Sequence, residues 1–391
     1  MEIRRSRGWT QADLAEAVGY SQSWVSKVLR RRQALTLDQA REIARRLEIP
    51  VHLLRLGSLG GEGPAKRRDF GKAMALALVP WPRPLGADGS TAPALSAITN
   101  AQRRLEATTP ARELARSVTS HVGMASQMLG RARKSGVAAD VAAALGEGAG
   151  LAGWLHADMC DHGTARFYYR LAIDAARHAG HDLLAGYMLG SLAAFEIDTG
   201  DHLAGLGLIG RARQQMAGEN HPTPRAWLSA IEALGHASAR GGAHAADDAI
   251  ERAGEAVESG WGTTEPPWPW IFPFDQAKLA GYRALVCVRL GRPADALAAF
   301  ADSLAASLPA PKQRAMIMLE VATAARQDGA KEGDSARIDE AFALAADALA
   351  VGTSYGSARV IQRSRTFRRD YAGPVTPSVR AFDRHVQATF P

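Results

Sequence analysis

Apolar positions along the chain recur at helical spacing, and the breaks between them fall at residues that cap or end helices. At the start, Ile3 belongs to a short helix that ends near Gly8. Thr10 reads as the N-cap of a second helix, with Asp13 three residues on in the place of the usual capping-box Glu or Gln. That helix, Gln11 to Val18, turns Leu14, Ala15 and Val18 to one side. Gly19 permits the left-handed backbone of a tight turn, and Ser21 caps a third helix, Gln22 to Arg30, with Val25, Val28 and Leu29 inward. A fourth helix opens at Thr36 with Ala40, Ile43, Ala44 and Leu47 inward. A short fifth begins at Pro50 and carries Leu53 and Leu54.

From about Ala94 onward the pattern is helical throughout, cut by short Gly- or Asp-containing turns. One motif returns: a small residue, a larger apolar one four positions on, and a small one three further. It occurs as Ala165, Tyr169, Ala172; as Gly205, Ile209, Ala212; as Ala246, Ile250, Ala253; as Ala296, Phe300, Ser303; and as Ala341, Ala345, Ala348. The first members stand 40, 41, 50 and 45 residues apart. Gly200, Gly241 and Gly291 lie five residues ahead of three of them. Small residues at this spacing let paired helices approach closely, and each pair buries its second face only by stacking on the next.

Between the two patterns the composition changes. Gly57, Gly60, Gly61, Gly63 and Pro64 mark a linker, and Pro80, Pro82, Pro84, Gly86, Gly89 and Pro93 a second loose stretch. Between these lies the basic run Lys66-Arg67-Arg68-Asp69-Phe70-Gly71-Lys72, followed by Ala73 to Val79. Its resemblance to a twin-arginine export signal is outweighed by its internal position and short apolar run. It reads better as a phosphate-facing segment before a short docking helix. The expected domains are thus 1–57, a linker at 58–99, and a helical repeat body at 100–391.

At 391 residues the chain is too long for one ordinary core. Hydrophobic residues at 47% against 22% charged describe a globular protein rather than a disordered one. Charge distribution adds more. Residues 1–72 hold fifteen Lys and Arg against eight Asp and Glu, an excess of seven that equals the formal charge of the whole chain, +7. The body is neutral, so a polyanion is the expected partner of the N-terminal part alone. Two cysteines, Cys160 and Cys287, do not make a disulfide framework. No apolar run reaches the roughly 18 residues of a membrane span, and Met1 to Arg7 is no signal peptide, so the cytoplasm is the expected compartment.

The outer face of the third helix carries Gln22, Ser23, Ser26, Lys27 and Arg30, without a carboxylate. A helix with such a face suits the major groove of DNA: Gln can bridge adenine, Lys or Arg can reach guanine, and Ser adapts. Arg31 and Arg32 follow at the helix end, within reach of phosphates. Gln11 and the amides at the start of the second helix are also placed for a phosphate. Trp24 lies one position off the inner stripe and reads as half-buried packing.

The run Thr10-Gln11-Ala12-Asp13-Leu14-Ala15, then Gly19, Ser21, Ser23 and Trp24-Val25-Ser26-Lys27, resembles the Cro and phage-repressor helix-turn-helix family, also called Xre-like. The resemblance covers about residues 1–57. It implies a five-helix DNA-binding domain with contacts from Gln11, Gln22, Ser23, Ser26 and Lys27. Two departures stand out. Leu29 and Arg31 replace a Glu and Gly frequent after the third helix. Met1 also lies only nine residues before Thr10, so the first helix is short or the chain begins upstream.

The body resembles the tetratricopeptide repeat, most clearly at Leu290-Gly291-Arg292-Pro293-Ala294-Asp295-Ala296 with Phe300. Its spacing is longer than that family's, and the first-helix aromatic is missing or displaced in most copies. The combination is similar to Xre-like heads on tetratricopeptide bodies, found in actinobacterial regulators and in peptide-sensing quorum regulators of Gram-positive bacteria. That resemblance implies a dimer, and an effector (a peptide, a small molecule or a protein partner) on the concave face of an α-solenoid. Trp261, Trp268, Trp270, Phe272 and Phe274, crowded among prolines in the longest inter-repeat gap, are candidates for an effector site. The reading favoured over that is a cover over the end of a neighbouring repeat.

Enzyme chemistry finds no foothold: there is no P-loop, no GxSxG elbow and no HExxH pair. His156, Asp158, Cys160, Asp161 and His162 cluster without zinc-ligand spacing and read as turn and helix-end residues. No cofactor is expected. The chain thus reads as an all-α, cytoplasmic, homodimeric transcription regulator of double-stranded DNA. The alternative is a scaffold whose solenoid holds a partner protein while the head only localises it.

Overall fold

Helix caps and turns set the boundaries of every element. The structure, a computed structural model, describes residues 10–29, 43, 46, 87–132, 136–218, 221–260, 274–304 and 311–388. The chain falls into two units, residues 1–84 and 85–391. Among the described residues all regular structure is helical. The fold is a helix-turn-helix followed by a helical repeat region.

In the first unit, α1 (Gln11–Val18) has the expected bounds and α2 (Gln22–Leu29) the expected start, Arg30 lying outside the described residues. Thr10 caps α1 in a complete capping box: its side chain accepts from Asp13 N, and the Asp13 carboxylate accepts from Thr10 N at 2.7 Å. Asp13, a shorter side chain than the usual Glu, therefore suffices, and these hydrogen bonds hold its carboxyl below the ordinary value. Gly19 stops α1 with φ +71°, and Tyr20 N donates to Ala15 O at 3.1 Å. A Cβ at position 19 would lie 1.8 Å from Arg46 Nη1, which donates to Val18 O at 3.3 Å. Ser21 Oγ accepts from Trp24 N and opens α2. Ala15, Val18 and Val25 form the core of this unit, with Ile43 against them. Ile43 is helical, as the fourth-helix pattern requires. The first and fifth expected helices lie outside the described residues.

The second unit runs α3 (Thr91–Glu106), α4 (Ala111–Ala132), α5 (Ala138–Asp158), α6 (His162–His178), α7 (Asp182–Asp198), α8 (His202–Gln215) and α9 (Pro222–Ala237). It continues with α10 (Ala243–Ser259), α11 (Gln276–Arg289), α12 (Pro293–Leu304), α13 (Pro311–Glu332), α14 (Ser335–Ser354), α15 (Ala358–Arg369) and α16 (Pro377–Ala388). Helical structure thus begins inside the stretch read as a linker. Pro93, read there as a loop signal, sits in the first turn of α3, where a missing N–H leaves no hydrogen bond unmade.

Antiparallel hairpins α5–α6, α7–α8, α9–α10, α11–α12 and α13–α14 make up most of the unit, and the first helices of successive hairpins pack on one another. The recurring triads all fall on second helices. Their members are buried, Ser303 alone being half-buried. At Gly205 the small residue must be glycine, since a Cβ would stand 2.4 Å from Ile197 Cγ1. The turns share one construction: a left-handed residue, then the cap of the next helix. Gly200 (φ +99°), Gly241 (+73°) and Gly291 (+68°) take the left-handed position in three copies. In the first copy it falls on Cys160 (φ +57°), a non-glycine residue five positions before Ala165. Asp161 N there donates to His156 O at 2.9 Å, as Asp201 N does to Glu196 O at 2.8 Å.

The unit closes on itself. Lys312, buried in α13, donates to Thr109 O at 3.2 Å and lies 3.0 Å from Glu106 and 3.5 Å from Asp158. Ser357 Oγ donates to Asp158, and Arg359 to Asp198 at 3.0 Å. At the C-terminal end Phe342 is 1% exposed and meets Phe367, Tyr371 and Phe382 edge-on at 4.9, 5.1 and 5.6 Å.

Candidate functional site

The short α2 is held from one side only. Val25 is buried, Trp24 is half-buried, and the Trp24 ring stacks on Tyr20 with centroids 4.0 Å apart. Trp24 therefore packs, as its position beside the inner stripe suggested. The opposite face shows Gln22, Ser23 and Lys27 exposed and Ser26 half-buried. Positions i, i+1, i+4 and i+5 share one side of a helix, so the four candidate residues form one polar surface. No carboxylate interrupts it. The first-turn amides of α2 lack intrahelical partners by construction, and with the positive helix end they favour an anion there. Gln11, half-buried, stands at the start of α1. Arg30, Arg31 and Arg32, and the basic run at 66–72, lie outside the described residues.

The second unit carries a half-open cavity of about 570 Å3. Its walls come mainly from the first helices of the hairpins: Trp154 of α5, Tyr187 and Phe195 of α7, Trp227 of α9, and Lys278 and Tyr282 of α11. Arg103 of α3, Tyr169 of α6, and Arg359 and Arg363 of α15 complete them. Trp227 packs close to α7 because residue 190 is glycine; a Cβ there would lie 2.3 Å from its ring. Burial raises the Tyr169 and Tyr187 hydroxyls and pushes Tyr282 up to about 12. Asp198 goes the other way. Desolvation would raise its pKa, but Arg359, Arg289 and Arg363 outweigh it and hold the carboxyl below the usual range.

Of the five aromatics singled out as effector candidates, Trp261, Trp268, Trp270 and Phe272 lie outside the described residues. Phe274 is 7% exposed, packs against Tyr282 at 5.6 Å and forms part of the cavity wall. Of the other lining residues, Tyr169, Cys160 and His162 read as packing or turn residues, and the rest escape sequence reasoning. Their signal is a stripe: Tyr187, Ser191, Phe195 and Asp198 recur at helical spacing along α7, and Arg359, Gln362, Arg363 and Thr366 along α15. In a helix as apolar all round as α7, such a stripe does not declare which side faces open space.

The residues 156–162 hold structural positions. His156 Nδ1 lies 3.1 Å from Asp161 Oδ2, Asp161 caps α6 through Thr164 N, and Asp158 pairs with Lys312. Among the described residues no group of three or more His, Cys, Asp and Glu side chains is placed to hold a metal, and no helix is long and apolar enough to cross a membrane.

Comparison with known proteins bears on the first unit. Residues 1–54 match a family described as helix-turn-helix, a family of DNA-binding regulators. No curated protein and no solved structure shows significant similarity to the chain.

Proposed function

We propose that the chain is a sequence-specific DNA-binding transcription regulator. It acts in the cytoplasm as a homodimer, and its tetratricopeptide-like body senses an effector. The observation that supports this most is the carboxylate-free outer face of α2, within the segment that matches a helix-turn-helix family. Gln22, Ser23, Ser26 and Lys27 read base edges in the major groove. Arg30 extends that face, and Gln11, Arg31 and Arg32 take phosphates. Two copies place two such helices about 34 Å apart on a roughly palindromic site. Effector binding in the body shifts the population of conformers that present the two heads at that spacing.

A salt-titrated binding assay tests this, using the intact protein, DNA fragments from around its own gene and a random competitor. One fragment should bind on the order of 10³-fold tighter than the competitor. Weak binding without discrimination, falling steeply with salt, would overturn it and favour a scaffold whose head is a non-specific anchor.

A further inference from the structure

The half-open cavity has the volume of a site for a small organic molecule, about 570 Å3 against roughly 300–1,000 Å3 for drug-sized ligands. Its lining combines two kinds of group. Flat rings make the first. Tyr187 stacks on Trp227 with centroids 5.4 Å apart, and Tyr282 hydrogen-bonds Trp227, so these rings are held in place before any ligand arrives.

The second kind is cationic. Arg103, Lys278, Arg359 and Arg363 line the cavity. Two of them are committed: Arg359 to Asp198 at 3.0 Å, with Trp154 under its guanidinium, and Arg363 to Glu320. The lining carboxylate Glu106 faces Lys312. Beyond the Lys278 backbone N–H, which donates to Asp275 Oδ1 at 2.9 Å, Arg103 and Lys278 make no ion pair or hydrogen bond among the described residues; Glu147 and Asp275 act on them only through space. Desolvation lowers the pKa of both, although Lys278 still reaches solvent. Both cations line the same cavity as the rings, and an anion seated there would give each side chain a direct partner. Lys278 stands one helical turn from Tyr282, and Arg103 lines the same cavity as Tyr187.

We propose that the cavity binds a small amphipathic organic anion, its carboxylate or phosphate head drawn to Arg103 and Lys278 and its apolar body lying against Tyr187, Trp227 and Tyr282. This rests on the sensor reading above and names the chemical class sensed.

The test uses the full chain and two fluorescent probes of similar shape, the anionic anilinonaphthalene sulfonate and the neutral phenylnaphthylamine. The anionic probe should saturate at one per chain and quench tryptophan emission. Arg103→Gln and Lys278→Gln should each weaken it about tenfold, the scale of one charge-assisted hydrogen bond, and leave the neutral probe within about twofold. Retained binding of the neutral probe also shows that the variants fold. Displacement by decanoate points to a carboxylate head and by decyl phosphate to a phosphate; displacement by neither overturns the proposal. Unchanged affinity of both variants for the anionic probe also overturns it. The same preparations are assayed on DNA. Specific DNA binding without stoichiometric probe binding removes the anion site and leaves the regulator standing. Charge-dependent probe binding in a protein that does not discriminate DNA does the reverse.

Discussion

The head and the body place their chemistry on opposite kinds of surface. In the head the candidate residues face solvent from one helix of eight residues, and neighbours in the sequence position them: the Thr10–Asp13 box, the Gly19 turn and the Ser21 cap. In the body the cavity groups come from helices as distant as α3 and α15, and most wall residues belong to helices whose other faces build the cores. An outward face can change its side chains at little cost to folding, because they touch little else. An interior wall cannot, because ligand contacts and packing contacts share the same helices. The head is therefore suited to changing what it reads, and the body to coupling what it binds to its own stability.

Separate perturbation of the two regions tests that contrast. Phe342→Ala should have the largest effect, costing the second unit about 3–5 kcal/mol as a buried ring is lost from its aromatic cluster. Its thermal transition should drop well below the wild type, while DNA discrimination at low temperature survives. Loss of discrimination as well would show that the regions are not separable. The double change Gln22→Ala with Lys27→Ala should do the opposite. Discrimination between specific and random DNA should fall on the order of 10²-fold, from about 1–3 kcal/mol per base contact, with no shift in melting. Full discrimination in that variant would remove α2 as the reading helix.

A smaller pair of effects separates two left-handed turn positions. Gly19→Ala forces a Cβ into a φ of +71° and against Arg46, and should cost the head at least about 1–2 kcal/mol. Cys160→Gly relieves the same conformation in the body and should stabilise it by about 0.5–1 kcal/mol. Amide hydrogen exchange in each region reads both changes, and a destabilised Cys160→Gly would show that the thiol packs more than the turn strains. The smallest effect is a slope. Asp198 titrates below its ordinary 3.8 in the folded protein. Its contribution to stability is therefore complete above about pH 4 and fades as pH falls through the lower folded value. Melting of the body should decline with acid below about pH 4, and Asp198→Asn should flatten that decline. Glu232 and Asp161, also lowered, leave a residual slope. An unchanged slope in Asp198→Asn would mean that its arginine partners do not stabilise the folded carboxylate.

Sequence alone determined the features that rest on near neighbours. It delimited α1 and the start of α2, identified the turn at Gly19, and located the buried triads of the second helices, because capping, left-handed turns and helical periodicity act within about one helical turn. It misjudged the entry to the body: Pro93 has one meaning in a loop and another in the first turn of a helix, and only packing distinguishes them. It also did not anticipate the left-handed turn at Cys160, where the repeat's geometry prevails over the preference of the residue. Tertiary structure alone decided the cavity. Which stripe of α7 faces open space, and which of the cavity's lining arginines meet a carboxylate, depends on helices far apart in the chain. Ion pairing and enclosure are properties of distances in space, and no local pattern along the sequence encodes them.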